Sequence, residues 1–262
     1  MELTIAGLQH AGSPGDVDAN LATVAQAARE ARGRGADLLV TPEMFVTGYN
    51  IGARVAELAA RPLVDEVAAV AAETGIALVA GLPELLPDGT VANTAVLLDE
   101  HGVELTRYRK THLFSELDRT LFVEGTRRSE VVAYRGVRLA LLICYDVEFP
   151  EPVRAAARDG AHLVVVPTAQ MEPFAFVAET LVPVRAWENQ VFVAYVNRSG
   201  EEGDLRYVGR SSVVAPSGQV LDALAPTQPT GLVLAAVDTA VVEQAQRQNP
   251  YLNDLRLDLY PS

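Results

Sequence analysis

The sequence predicts an α/β domain built from two similar halves, and three observations carry that prediction. Short apolar runs alternate with amphipathic segments almost from the first residue. Hairpin-like strand pairs occur inside each half. No linker, low-complexity segment or exact repeat divides the 262 residues, so a single domain over 1–262 is expected, with helices covering sheets around a substantial core.

The elements follow in order. Leu3 to Gln9 reads as a strand. Asp16 or Asp18 caps a helix whose Leu21, Val24, Ala25 and Ala28 recur at i, i+3, i+4 and i+7, and which ends near Gly33 and Gly35. Asp37 to Val40 is a second strand, broken at Pro42-Glu43. Helical segments over Ile51 to Ala60 and Leu63 to Glu73 lead to a strand at Ile76 to Gly81. Thr90 to Asp99 and Val103 to Tyr108 form a hairpin over Glu100-His101-Gly102. The second half repeats the theme: a strand at Val137 to Ile143, a helix from Glu151, a strand at Leu163 to Val166, and a helical stretch from Pro173 to Asn189 interrupted at Pro183. Strands at Val191 to Val196, Ser211 to Ala215, Val220 to Asp222 and Leu232 to Val237 complete it, the middle two joined by the turn Pro216-Ser217-Gly218.

Composition narrows the function classes. The chain is 49% hydrophobic and 21% charged, with a net charge of −13 and a pI near 4.7. Nucleic acid and anionic membrane surfaces both require a basic footprint, so neither is expected as a partner. No apolar stretch is long enough to span a bilayer. Met1 to Ile5 enters a strand without a basic leader segment, and the single thiol suits a reducing compartment, so a cytoplasmic location is expected.

That thiol is the most informative residue. Cys144 ends the run Val137 to Ile143 and precedes Tyr145-Asp146 and a helix entry, the position where an open α/β sheet presents reactive groups. Alone it reads more readily as a small buried hydrophobe. Three further segments change the balance. Val40-Thr41-Pro42-Glu43-Met44-Phe45 sets a carboxylate just beyond a strand. Tyr108-Arg109-Lys110-Thr111-His112-Leu113-Phe114 follows the hairpin. Ile143-Cys144-Tyr145-Asp146 with Phe149-Pro150-Glu151 follows the strand of the second half.

Taken in that order, these segments resemble the carbon–nitrogen hydrolase (nitrilase) superfamily, in its amidase-like branch. The similarity extends through Arg185 to Gln190, Val196-Asn197-Arg198, Gly209 to Ser212 with Pro216 to Gly218, and the tail near Leu252 to Tyr260. The resemblance implies a four-layer αββα sandwich, a homodimer or higher homo-oligomer, and a Glu43-Lys110-Cys144 catalytic triad. Glu43 is then the base, Cys144 the nucleophile, and Lys110, with the backbone N–H of Tyr145, the oxyanion donor pair. Many members carry a second glutamate that orients substrate and lysine. Glu124 is the expected residue here and Glu116 its rival. His112 is expected to fix the lysine loop, and Trp187 to be core or interface. No metal or organic cofactor is required, and no Gly-x-Ser-x-Gly, His-x-x-x-His or phosphate-loop pattern is present.

The expected reaction is hydrolysis of a small amide, short aliphatic or amino-acid-derived, through a cysteine thioester to acid and ammonia. Tyr-Asp after the cysteine is similar to amidase branches. An ω-amidase or N-carbamoyl hydrolase is the alternative, followed by nitrilase, acyl transferase and non-catalytic scaffold. Pocket loops are expected around Met171 to Phe176 and Gly200 to Arg206, with Arg198 or Arg206 binding a substrate carboxylate or engaged in a salt bridge.

Overall fold

The alternating pattern resolves into two six-stranded mixed sheets in a computed structural model that describes residues 1–259; Tyr260, at the end of the family-like tail, lies outside the described residues. The strands are Glu2–Gln9 (β1), Leu38–Val40 (β2), Ala77–Leu85 (β3), Val91–Leu98 (β4), Glu104–Arg109 (β5), Val132–Tyr134 (β6) and Val137–Leu141 (β7). They continue with Leu163–Thr168 (β8), Phe192–Asn197 (β9), Glu201–Glu202 (β10), Leu205–Arg206 (β11), Ser212–Val214 (β12), Val220–Ala223 (β13) and Gly231–Asp238 (β14). One sheet is ordered β14-β1-β2-β3-β4-β5 and the other β13-β12-β9-β8-β7-β6, while β10 and β11 form a separate two-stranded ribbon. Each large sheet has three parallel central strands, β1-β2-β3 and β7-β8-β9, with antiparallel strands on either side. The two halves are therefore alike, as the sequence predicts.

The helices are Val17–Gly33 (α1), Arg54–Ala59 (α2), Leu63–Thr74 (α3), Ser115–Arg119 (α4), Pro150–Arg158 (α5), Val182–Asn189 (α6), Thr239–Gln248 (α7) and Tyr251–Asp254 (α8). Ile5, Val40, Val79 and Leu97 of the first sheet share one core with Leu139, Leu141, Val164 and Val193 of the second. Alternate residues of β1 to β4, such as Ala6, Leu39, Leu78 and Val96, face the other way against Val24, Ala28, Val67 and Ala71 of α1 and α3. Val153, Ala156, Val182 and Ala186 bring α5 and α6 onto the second sheet. The result is the αββα layering that the family resemblance implies. Both central strand sets are covered on both faces, which is why β2 and β8 are buried at every position.

Four local features depart from the sequence reading. The strand expected through Ile143 stops at Leu141, because the Ile143 N–H is taken by the Asp146 carboxylate (3.1 Å) rather than by a neighbouring strand. The helical stretch before Asn189 is not broken at Pro183: it contains a π turn at Val177–Leu181 that runs on directly into α6, with Pro183 in the turn just after it. The last strand, β14, leaves the second half and pairs antiparallel with β1 from Glu2↔Asp238 to Gln9↔Gly231. Neither β6, three residues long, nor α7 is anticipated; the latter is capped by the Asp238 side chain, which accepts from the Ala240 N–H at 2.9 Å.

One glycine positions the site. A Cβ on Gly81 of β3 would lie 2.5 Å from the Pro42 carbonyl oxygen, 2.7 Å from the Met44 nitrogen and 2.8 Å from the Glu43 Cα. All three are backbone atoms of the turn that carries Glu43, so no side chain can rotate away. Gly81→Ala is expected to cost about 1–3 kcal/mol by denaturant unfolding, and to lower activity by pushing Glu43 away.

Candidate active site

Three chain segments meet at strand ends, two beyond the central strands β2 and β7 and one beyond the edge strand β5. The first is the turn after β2, where Thr41 to Thr47 is wholly buried. Glu43 is fully buried; its N–H donates to the Thr168 carbonyl (3.3 Å), tying this turn to the end of β8. The second follows β5 and carries Lys110, also fully buried, whose own N–H donates to the Asn93 carbonyl (2.9 Å). The third is a single 3₁₀ turn, Cys144–Glu148, entered directly from β7. Met44 (φ 52°) and Cys144 (φ 46°) both occupy the left-handed region, a conformation that non-glycine residues adopt at a cost and that here turns each chain sharply beside a reactive group.

The side chains form one buried charge cluster. Lys110 Nζ donates to Glu43 Oε1 at 2.8 Å and to Asp118 Oδ2 at 2.7 Å, with all three side chains sealed from solvent. Glu43 Oε1 also accepts from Asn93 Nδ2 (2.7 Å), whereas its Oε2 is buried with no hydrogen-bond partner. Asp118 Oδ1 accepts from the Tyr49 hydroxyl (2.7 Å), and its Oδ2 also accepts from the Phe114 N–H (2.8 Å). One ammonium between two carboxylates leaves a net negative charge in a dry site.

That arrangement fixes the protonation tendencies. Burial pushes the Glu43 carboxyl up from its ordinary value, opposed by Lys110 and reinforced by Asp118. Burial raises the Cys144 thiol well above its usual range, and the charge of Glu43 raises it further, so the resting group is a neutral thiol that needs a proton acceptor to become nucleophilic. For Lys110, burial works against the charge, but Glu43 and Asp118 outweigh it and hold the ammonium protonated.

A second set of contacts braces the Lys110 loop against the Cys144 turn. Asp146 Oδ1 accepts from Thr111 Oγ1 (2.9 Å) and the His112 N–H (3.0 Å), and lies 2.7 Å from His112 Nδ1. The hydrogen bond to Asp146 raises the His112 pKa, and the ring stacks on Phe149 with centroids 4.2 Å apart. His112 thus braces the loop, and its contacts explain why Thr-His and Cys-Tyr-Asp occur in the same chain.

Glu43 and Lys110 are brought together as the sequence suggests, and the charge of Glu43 acts on Cys144. The second carboxylate is different. Glu124 is exposed, and Glu116 is exposed as well; Asp118 occupies the position beside Lys110. Ser115, at φ 49°, turns the chain into α4 so that Asp118 faces inward while Glu116 faces water. Arg198 is fully buried but donates to the Met44 carbonyl (3.3 Å) and the Ala11 carbonyl (2.7 Å), while Arg206 is exposed beside Glu201 at 3.4 Å. Neither is positioned as a carboxylate receptor at Cys144. Trp187 is not core: it is 41% exposed on α6, edge-on to Tyr251. Sequence reasoning also missed Asn93 and Gln170, whose Oε1 lies 3.8 Å from Cys144 Sγ. An amide on a strand (Asn93) or just past one (Gln170) carries no motif of its own. Among the described residues no group of three or more His, Cys, Asp or Glu side chains could hold a metal ion, and no helix is long and apolar enough to cross a membrane.

The carbon–nitrogen hydrolase family model matches residues 4–247. The chain belongs to the carbon–nitrogen hydrolase family. Among curated relatives it is 43% identical over 251 residues to a "Hydrolase in pqqF 5′region" of Pseudomonas protegens, covering 94% of this chain and 87% of that one. It is 37% identical to an (R)-stereoselective amidase of a Pseudomonas species, covering 96% and 91%. Among solved carbon–nitrogen hydrolases, the NitN amidase of Nesterenkonia sp. AN1 superposes with a TM-score of 0.89 at 38% identity, covering 98% of each chain. Other structures of that amidase hold butyramide in a cysteine-to-alanine mutant, or carry the acetamide moiety of fluoroacetamide covalently at the active-site cysteine.

Within this carbon–nitrogen hydrolase, Asp118→Asn tests the second carboxylate. The amide keeps the shape but removes one of the two anions that hold Lys110. We expect kcat to fall about 10²-fold through misplacement of the ammonium, with the fold retained by circular dichroism. Glu124→Gln, on the exposed loop, is expected to leave the same steady-state kinetics within a factor of about two.

Proposed function

We propose that the protein is a cysteine-dependent amidase acting on small amides. The observation that carries this reading is the orphaned Glu43 Oε2: a buried carboxylate oxygen with no partner, in the residue whose other oxygen is fixed by Lys110 and Asn93. A buried acceptor without a donor is costly unless the reaction uses it. Here the only cysteine of the chain supplies the proton.

Glu43 takes the thiol proton, and Cys144 Sγ attacks the amide carbonyl carbon. The oxyanion is held by the Lys110 ammonium and by the N–H of Tyr145, the residue next after the nucleophile. The carbon–nitrogen bond then breaks, Glu43 returns the proton to the leaving nitrogen, and ammonia departs from a Cys144 thioester. The same glutamate, again ionised, takes a proton from water; hydroxide adds to the thioester carbonyl, and the thiolate leaves to be reprotonated. Each general acid–base step contributes about 10²–10⁴-fold. Asp118 holds Lys110 in place between the two carboxylates, because a lone ammonium in so dry a site would not be stable.

Short aliphatic or amino-acid-derived amides are the proposed substrates, in line with the butyramide held by the Nesterenkonia amidase. Half-exposed apolar side chains on one face, Val184 and Trp187 of α6 with Tyr251 of α8, support a homodimer. The proposed function is tested by ammonia release from a panel of short amides, carbamoyl compounds and nitriles. Release from amides in preference to nitriles is the expected result, and release from nitriles alone would overturn the reading.

A further inference from the structure

The β10–β11 ribbon, Glu201 to Arg206, lies on the surface, yet Glu202 turns inward and is buried. Taking a carboxylate out of water is costly unless donors meet it, and here they do. The Tyr49 N–H donates to Glu202 Oε1 (3.0 Å), the Asn50 N–H and the Tyr207 hydroxyl donate to its Oε2 (3.0 and 2.5 Å), and the Arg198 guanidinium stands 3.8 Å away. Asn50 Nδ2 adds bonds to the Glu202 carbonyl (3.2 Å) and to Asp204 Oδ1 (2.9 Å). The approach is close enough to require a glycine: a Cβ on Gly48, which sits at φ 97°, would lie 2.6 Å from Glu202 Oε1. Gly48 to Asn50 continue the buried turn that carries Glu43, so a residue of the second half anchors the far end of that turn in the first.

The residue held in this way reaches Lys110. Tyr49 is buried, and its hydroxyl donates to Asp118 Oδ1 at 2.7 Å. Among the described residues no other group donates a hydrogen bond to that oxygen; the Phe114 N–H and Lys110 Nζ both bond to Oδ2 (2.8 and 2.7 Å). The Tyr49 ring also lies beside the ammonium, with its centroid 6.0 Å from Nζ. Burial and the charges of Glu43 and Asp118 hold the Tyr49 hydroxyl well above its usual range, so it stays protonated and remains a donor. A continuous path thus runs from Glu202 through the Tyr49 side chain and Asp118 to the ammonium, and from there to Glu43 at 2.8 Å. Neither Glu202 nor Tyr49 has a part in the proton steps of the reaction.

We propose that Glu202 and Tyr49 are positioning residues for the Lys110 ammonium: Glu202 fixes the Tyr49 main chain, the Tyr49 hydroxyl fixes Asp118, and Asp118 fixes the cation that holds the oxyanion. This rests on the amidase reading above and adds to it the groups that keep its oxyanion donor in place. Removing the hydroxyl leaves a buried carboxylate oxygen without a donor, and any rotation of Asp118 that relieves this moves Lys110. The oxyanion exists only after Sγ has attacked, so a displaced donor raises the barrier without changing how tightly the neutral amide binds. Loss of either residue is therefore expected in kcat and not in KM.

The test measures kcat and KM, on the best amide of the panel above, in wild type, Tyr49→Phe, Glu202→Gln, Asp118→Asn and the two double variants that add Asp118→Asn to each of the others. Circular dichroism checks the fold of each. Tyr49→Phe and Glu202→Gln are each expected to lower kcat about tenfold, with KM within a factor of about two. In the Asp118→Asn background the same changes are expected to alter kcat by less than about twofold, because the group they act through is gone. A merely structural role would lower kcat by the same factor in both backgrounds, which would overturn the proposal, as would wild-type kcat in either single variant or a loss confined to KM. Should Glu202→Gln not fold, Glu202→Asp replaces it: the charge stays beside Arg198 but falls short of the Tyr49 and Asn50 N–H groups, and the same loss in kcat is expected. Failure of wild type on every amide of the panel would instead overturn the amidase reading and this inference with it.

Discussion

Cys144→Ala is expected to abolish amide hydrolysis, lowering kcat by about 10⁴-fold or more while the protein stays folded. The two halves of this expectation have separate causes. Removing one buried sulfur leaves a small void among Leu142, Ile143 and Val147, so the stability cost is about 1 kcal/mol. The chemical cost is complete, because no other group is available to attack. The chain has no second cysteine, and the nearby Tyr195 hydroxyl is held well above its usual range by burial and by the charges around it. Glu43, with one oxygen fixed by Lys110 and Asn93, remains as a base without a nucleophile. Ammonia release and thermal unfolding, measured on the same sample, separate the two effects.

Lys110→Met is expected to lower stability and activity together. The substitution keeps the length of the side chain but removes the ammonium that lies between Glu43 and Asp118. Two buried carboxylates then face each other without a cation, a loss of about 3–5 kcal/mol for breaking a buried ionic cluster from one side. The loss depends on pH, and its sign follows from the carboxylates. Burial already raises Glu43 in the folded state, and Lys110 opposes that rise. Without Lys110 the folded-state value climbs further above the unfolded one. A group raised in this way favours the fold while both states are protonated, at pH below the unfolded carboxylate range. That favourable contribution is lost as pH increases through the folded value. The variant is therefore expected to approach wild-type stability in acid and to fall increasingly below it toward neutrality. Denaturant unfolding across that range checks the direction, and a deficit that shrinks as pH rises would contradict it.

The parts legible in the sequence were those in which one physical pattern dominates. Uninterrupted branched-aliphatic runs such as Leu163 to Val166 mark strands covered on both faces. The Glu100-His101-Gly102 turn fixes a hairpin, and Asp16, whose side chain accepts from the Ala19 N–H, marks the start of α1. The meeting of Glu43 with Lys110 was legible because each follows shortly after a strand in an ordered set of motifs, as Cys144 does. Asp118 was not. It is one of several acidic residues in a short polar segment, and only the reversal at Ser115, in the left-handed region, turns it inward and leaves Glu116 and Glu124 in water. The pairing of β14 with β1 was hidden for another reason: contacts between residues more than 200 apart leave no trace in local periodicity. In sequence, Arg198 fits a salt bridge at least as well as an anion receptor, and burial decides for the former: it lies 3.8 Å from Glu202 and donates to main-chain carbonyls.

The central claim is that Cys144 carries the acyl group between the departure of the amine and the arrival of water. Partitioning by hydroxylamine tests it most directly. Amides that share one acyl group but differ in the leaving amine are hydrolysed with added hydroxylamine, and hydroxamate and acid are both quantified in wild type and Cys144→Ala. A common Cys144 thioester predicts one hydroxamate-to-acid ratio whatever the leaving amine, and neither product from the variant. A ratio that changes with the leaving amine, or acid formed by Cys144→Ala at the wild-type rate, would contradict it.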